Sequence, residues 1–347
     1  MKDTAIARIP ASPRYDWIAT ILATWFTGGL FLDGWAHTHG RVDTTFFTPW
    51  HAVLYSAWAA NGLFLAGTFV LAVRRGMPWR IAMPCGYHAS LIGAVVFGVG
   101  GVLDLTWHLI FGVEKATEAL LSPTHLTLAT GLILVVSSPY RSALQRVTSR
   151  PSLLVFLPVL LSLTYSMSAA MFFLQYANPI VSSYADQAFN GSDVNQLHLK
   201  VGLASIILHS ALVSGAMLVA ISHWRIPFGS FAIMLAINGV LIDSQAEKPL
   251  FLSVGLLAGL AGLLVDLLYL WLRPSETGVW SLRLFAFLAP AMFFLLYFVA
   301  LGALKGGIVW SVPLWTGSIF EAGVVGLLLS FLLLRTAPGE PLVPAGP

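Results

Sequence analysis

Long apolar runs broken by short polar or basic segments dominate this chain. A helix needs about 20 mostly apolar residues to cross a bilayer. Ten segments meet or approach that length, roughly at 16–36, 49–73, 80–110, 121–139, 152–176, 195–222, 227–244, 249–272, 281–303 and 308–335. The third is long for one crossing and predicts a tilted or broken helix, while the fourth and seventh are short. The pattern predicts an all-α fold: a polytopic transmembrane helical bundle of about ten spans forming a single integral membrane domain over 1–347. Within it, residues 16–139 form a half carrying candidate chemistry, and 152–335 a second helical half without an assigned role.

Composition agrees. Of 347 residues, 57% are hydrophobic and only 10% charged, and mean hydropathy is +0.82. Soluble domains run near 25% charged, which excludes a water-soluble globule. The net charge of +3 is small and its charges scattered, so nucleic acid is not an expected partner. The lone cysteine, Cys85, excludes a disulfide framework and any multi-cysteine zinc or iron–sulfur site.

The basic residues set an expected orientation. Lys2, Arg8, Arg14, Arg74, Arg75, Arg80, Arg141, Arg146, Arg150, Arg225, Arg273, Arg283 and Arg335 fall on one side of the ten-span arrangement. Arg41, Lys115, Lys200, Lys248 and Lys305 fall on the other. By the positive-inside rule both termini are cytoplasmic, in a plasma membrane or bacterial-type inner membrane. The first apolar stretch runs into Asp33, Trp35 and His37 with no small-residue cleavage site, and reads as an uncleaved first helix rather than a signal peptide. The Pro- and Gly-rich stretch after Arg335 reads as disordered.

Candidate chemistry concentrates at the predicted outer rim. Asp33 and His37 stand four apart at the end of one predicted helix, and Asp104 and His108 repeat the arrangement at the end of another. Residues four apart share a helix face, so each carboxylate and imidazole can reach a common ion. An acid follows six residues after each His, Asp43 in the first copy and Glu114 in the second. Each copy enters its next helix alike, through Thr48-Pro49-Trp50-His51 and Ser122-Pro123-Thr124-His125. A Ser or Thr cap with Pro at the first helical position is a helix start signal. It puts His51 and His125 in first turns, level with the Asp–His pairs.

A lone membrane His is usually a packing residue. An intramembrane Asp is harder to explain, because a charge at the helix centre costs about 2.5–3.5 kcal/mol even on the mildest scale. Two copies of the same Asp, His, acid and capped His pattern favour metal ligation by Asp33, His37, His51, Asp104, His108 and His125. Imidazole with carboxylate and no thiolate suits copper, zinc, iron or manganese. A three-ligand set leaves room for solvent or substrate.

The run Asp33-x3-His37, Arg41-Val42-Asp43-Thr44, Phe47-Thr48-Pro49-Trp50-His51 resembles the metal-binding motif of the C subunit of particulate methane and ammonia monooxygenases. The resemblance covers about residues 25–130. It implies copper at Asp33, His37 and His51, and a neighbouring second site at Asp104, His108, Glu114 and His125. Asp104 stands where that family has Asn, and the first loop is one residue longer. The resemblance further implies an oxygen-activating copper monooxygenase acting on a small apolar substrate, with companion subunits or a homo-oligomer as partners in the lipid bilayer. The competing expectation is copper or zinc acquisition or transport without catalysis. Haem held by paired histidines is disfavoured by the Asp companions, since haem takes axial His rather than carboxylate.

Other polar residues carry weaker expectations. His39 is either an auxiliary ligand or a surface residue, and His198 is a ligand, a partner of one, or an interfacial His. His88, His209 and His223 read as structural. Asp266 and Glu321 either belong to a proton path or bond a neighbouring helix. Trp310 and Trp315 read as interface anchors, and the Gly-rich spans as close-packing surfaces.

Overall fold

The computed structural model describes residues 10–41, 47–112, 117–146, 150–186, 193–274, 278–304 and 306–333, and these contain helices and turns but no strand. The described residues divide into two compact units. The first, residues 1–147 with 157–173, contains α1 (Pro13–Thr38), α2 (Pro49–Arg74), α3 (His88–Phe111), α4 (Thr117–Leu121), α5 (Pro123–Val136), α6 (Ser138–Ala143) and most of α7 (Leu153–Phe173). The second, residues 148–156 with 174–347, contains α8 (Asp193–His223), α9 (Ser230–Asp243), α10 (Phe251–Leu272), α11 (Val279–Leu304) and α12 (Val312–Leu333).

Seven of these helices are long and apolar enough to cross a membrane: α2, α3, α7, the Gln196–His223 part of α8, α10, α11 and α12. Their outward faces are strongly apolar, with Leu63, Leu109, Leu332 and Trp280 each at least three-quarters exposed. In water such a surface would drive association; a bilayer covers it. The protein is a multi-pass helical membrane protein.

The sequence boundary at residue 80 is wrong by a full turn and more. A short 3-10 turn spans Trp79–Ile81, and α3 begins only at His88. Pro84 and Gly86, the latter at φ +86°, break the apolar run before the helix can form.

In the first unit, polar side chains join helices where apolar packing alone would let them slide. The Asn61 amide donates to Leu22 O (3.0 Å) on α1 and to Ala57 O (2.9 Å) on its own helix. The hydroxyls of Thr24 and Tyr165 lie 2.9 Å apart, and Ser162 Oγ donates to Val136 O (2.7 Å). At the end of the unit away from His37, Asp16 pairs with Arg146 and accepts from Tyr87 Oη (2.6 Å). The Arg141 guanidinium there donates to Gly86 O, Ser90 Oγ, Leu134 O and Ser137 Oγ. Interhelical hydrogen bonds of this kind hold bundles together where lipid removes the hydrophobic drive between helices.

In the second unit, α9 and α10 form a hairpin packed through glycines. A β-carbon on Gly239 would stand 2.8 Å from the Ala258 β-carbon, and one on Gly255 2.6 Å from Val240 Cγ2. Asp266 caps the hairpin from across it: its carboxylate accepts from the backbone N–H groups of Phe231 (3.3 Å) and Ala232 (3.0 Å), at the start of α9. A carboxylate at a helix N-terminus satisfies orphan donors and opposes the helix dipole. Of the two roles open for Asp266, bonding a neighbouring helix is the one observed. Trp310, expected as an interface anchor, is instead buried (6% exposed) against Gly202 and Phe298. His209 is buried with its ring stacked on Phe293. His223 Nδ1 sits 3.0 Å from Val219 O in the last turn of α8.

Candidate metal centre

Two helical hairpins of the first unit build the centre. In the first, Thr48 caps α2 by accepting from His51 N–H (3.1 Å), with Pro49 at the first helical position. In the second, Ser122 caps α5 by accepting from His125 N–H (3.4 Å), followed by Pro123. Both caps fix a histidine in a first turn, where it faces the last turns of the preceding long helix.

The approach of the helices is set by glycines one turn before each aspartate. A β-carbon at Gly29 would stand 2.9 Å from Leu54 Cα, and one at Gly100 3.1 Å from Leu128 Cδ2 and 3.3 Å from Leu128 N. Gly29 precedes Asp33 by four residues and Leu54 follows His51 by three; Gly100 and Asp104, with His125 and Leu128, keep the same offsets. Further along α3, Gly93 and Gly131 bring α3 against α5 with no room for a side chain.

The result is two groups of ligand-type side chains, Asp33–His37–His51 and Asp104–His108–His125, each able to offer three donor atoms within 4.8 Å of one another. In the first, Asp33 Oδ2 is 3.9 Å from His37 Nε2 and 3.4 Å from His51 Nε2. In the second, Asp104 Oδ2 is 3.4 Å from His108 Nε2, and Asp104 Oδ1 is 3.6 Å from His125 Nε2. The paired imidazole centroids are 5.7 Å apart in the first group and 5.8 Å in the second. All six sequence-predicted ligands therefore gather as three and three.

These separations fit a shared ion. Charge-assisted N–H···O⁻ bonds close to about 2.7–2.9 Å. Two donors bound at about 2.0–2.1 Å to a tetrahedral ion stand about 3.3 Å apart. Asp33 Oδ1 is buried and has no hydrogen-bond partner among the described residues, a costly state for a carboxylate oxygen unless a cation satisfies it. The donor set of two imidazoles and one carboxylate is open-sided, and suits copper, zinc or iron. The residues present fit a metal ion.

The two groups differ in how firmly they are held. Asp104 is fully buried (2% exposed) and its Oδ1 accepts from Thr124 Oγ1 at 2.7 Å. His125 Nδ1 lies 2.6 Å from Ser122 Oγ and His108 Nδ1 3.3 Å from Gly112 O, which turns both Nε2 atoms toward Asp104. Such partners on the far ring nitrogen orient metal-binding histidines. The first group is more open: about a third (34%) of the His37 side chain reaches the surface. The groups are neighbours, for Asp33 lies within electrostatic reach of Asp104, and His37 within reach of His108 and His125.

Tyr55 was missed in the sequence. It stands one helical turn beyond His51, with ring centroids 6.3 Å apart, and interacts electrostatically with both Asp33 and Asp104. A β-carbon on Gly101 would meet its hydroxyl at 2.8 Å. The only advance signal was its four-residue spacing from His51.

The remaining candidates fall elsewhere. His39 stacks on Trp35, and its Nδ1 sits 2.9 Å from Trp35 O; it joins neither group. His198 belongs to the second unit, with its ring against Tyr184. Asp43 and Glu114 lie outside the described residues. Comparison with known proteins returned no match to this chain, whether among family models, curated proteins or solved structures.

Proposed function

We propose that this chain is an integral membrane copper protein of the oxygen-activating monooxygenase type. One ion is held by Asp33, His37 and His51 and a second by Asp104, His108 and His125. The observation that carries this reading is the buried Asp33 carboxylate, whose Oδ1 has no hydrogen-bond partner among the described residues and whose Oδ2 lies 3.9 Å from His37 Nε2 and 3.4 Å from His51 Nε2. The resemblance to the monooxygenase C subunit over residues 25–130 selects copper from the metals this donor set accepts. In this reading the ten longer helices are membrane spans, both termini are cytoplasmic, and the two hairpins are an internal repeat with the ligands at the extracytoplasmic rim.

Copper, when bound, supplies one-electron and dioxygen chemistry. The chain does the rest. Asp33 and Asp104 would each supply a carboxylate beside two imidazoles, which offsets the charge of a bound ion in a low-dielectric site. Ser122 and Gly112 hold the rings of His125 and His108, and Thr124 holds the Asp104 carboxylate. Exposure at His37 leaves the first site accessible to a small apolar molecule arriving through lipid. Tyr55, which interacts electrostatically with both aspartates, is the residue we assign to pass a proton between the sites. Companion subunits or a homo-oligomer are the partners that the resemblance implies.

Metal per chain in purified protein tests the assignment, together with substrate-dependent dioxygen uptake. Copper at two per chain, falling to one in His51→Ala and one in His125→Ala, is the expected result. Unchanged metal content in both variants, or iron or zinc retained in preference to copper, overturns it. Two adjacent sites also suit a stepwise metal relay, so a second reading is copper acquisition or transport. Uptake of copper into proteoliposomes, without dioxygen consumption, is the outcome that selects it.

A further inference from the structure

The second unit contains a cavity of about 490 Å³, and no residue of the candidate metal centre lines it. The volume lies within the range of about 300–1,000 Å³ typical of small-molecule sites. Its two long walls are residues Leu250 to Ala261, chiefly on α10, and Phe293 to Leu304 on α11. Each wall covers eleven helical steps, about 16 Å, or close to half of the roughly 30 Å hydrocarbon core. The slot is therefore as deep as one lipid leaflet.

Polarity is sorted along that depth. Asp243, Glu247 and Lys248 line the end at the α9–α10 connection, whereas Ala261, Phe293 and Leu296 line the far end. Asp243 Oδ2 accepts from Leu250 N–H at 2.6 Å, holding one carboxylate at the mouth. Glu247 and Lys248 are exposed there. Small side chains (Ala246, Ala258, Ala300) line the slot. Tyr297 Oη donates to Pro179 O (2.9 Å) and braces α11 against the 179–184 segment.

We infer that this cavity is a binding site for one zwitterionic phospholipid of the adjoining leaflet, with an acyl chain in the slot and its head at the mouth. A slot one leaflet deep, with long walls on α10 and α11 built mostly of Leu, Val, Ala and Phe, takes an acyl chain. A mouth carrying both signs of charge pairs Lys248 with a phosphate and Glu247 with an ammonium, as an anionic or uncharged head would not allow.

The test is native mass spectrometry of the full chain, delipidated and then titrated with phosphatidylethanolamine, phosphatidylglycerol or diacylglycerol of identical chains. The expected result is one phosphatidylethanolamine per chain, bound at least fivefold more tightly than either of the others. Ala300→Trp, which fills the slot from a partly exposed wall position, abolishes that binding while helicity and metal content stay unchanged. Lys248→Gln, outside the packed core, weakens it at least fivefold. Equal binding of the three lipids overturns the head-group assignment. Retention of the lipid by Ala300→Trp overturns the site. Neither outcome bears on the metal centre.

Discussion

Leu54 Cα lies 2.9 Å from the point where a β-carbon on Gly29 would stand, so α1 and α2 touch backbone to backbone one turn from Asp33 and His51. That contact is what brings a carboxylate on one helix to 3.4 Å from an imidazole on the next. Any side chain at position 29 must push the helices apart, and overpacking of this kind costs typically 1–3 kcal/mol. Gly29→Val is expected to drop the first ion and keep the second, reducing metal from two to one per chain by elemental analysis. Loss of both ions together would show that the hairpins are not independent.

Gly100 is the matching position in the second hairpin, but its nearest neighbour is the end of the flexible Leu128 side chain at 3.1 Å. Gly100→Ala is therefore expected to be milder than Gly29→Ala. The comparison is made by chelator competition at equal protein concentration, and equal losses would contradict it.

Ser122 serves both the α5 N-terminus and His125 Nδ1. Ser122→Ala is expected to weaken metal binding at the second site by about 10–100-fold, the usual effect of removing a ligand's orienting partner. It should also lower stability by about 1 kcal/mol through the lost cap. Thr124→Val removes the bond to Asp104 Oδ1 and should act in the same direction. Titration with a calibrated copper chelator measures both.

Asp266 bonds the start of α9 and belongs to neither candidate ligand group, so a role in stability is expected of it. Asp266→Ala leaves the buried Phe231 N–H and the half-buried Ala232 N–H without their carboxylate. It is expected to cost about 1–3 kcal/mol in unfolding experiments, with metal content and dioxygen uptake per folded molecule unchanged. A specific loss of turnover in fully folded Asp266→Ala protein would reinstate it in a proton path.

Asp16 is almost fully buried (1% exposed) and holds Arg146 and Tyr87 at the opposite end of the first unit. Arg146→Met strips the charge partner from a buried carboxylate, and about 3 kcal/mol is the expected loss. Tyr87→Phe should cost about 1 kcal/mol. Thermal unfolding in detergent ranks the two, and the reverse order would mean that the ion pair adds little.

The two candidate ligand triads were legible in the sequence because a helix converts spacing into position. Asp33 with His37, and Asp104 with His108, share a face at any i,i+4 separation, and Thr48-Pro49 and Ser122-Pro123 announce where the next helix starts. Helical class and membrane character follow as directly, since twenty apolar residues in a row have few other fates. What the one-dimensional pattern cannot carry is which helices touch and how closely. That Gly29 meets Leu54, that Tyr55 stands within reach of both aspartates, that Asp266 caps α9, and that Trp310 is buried all depend on contacts between residues distant in the chain. Those contacts are fixed by the fit of one helix surface to another, and neither hydropathy nor spacing encodes that fit.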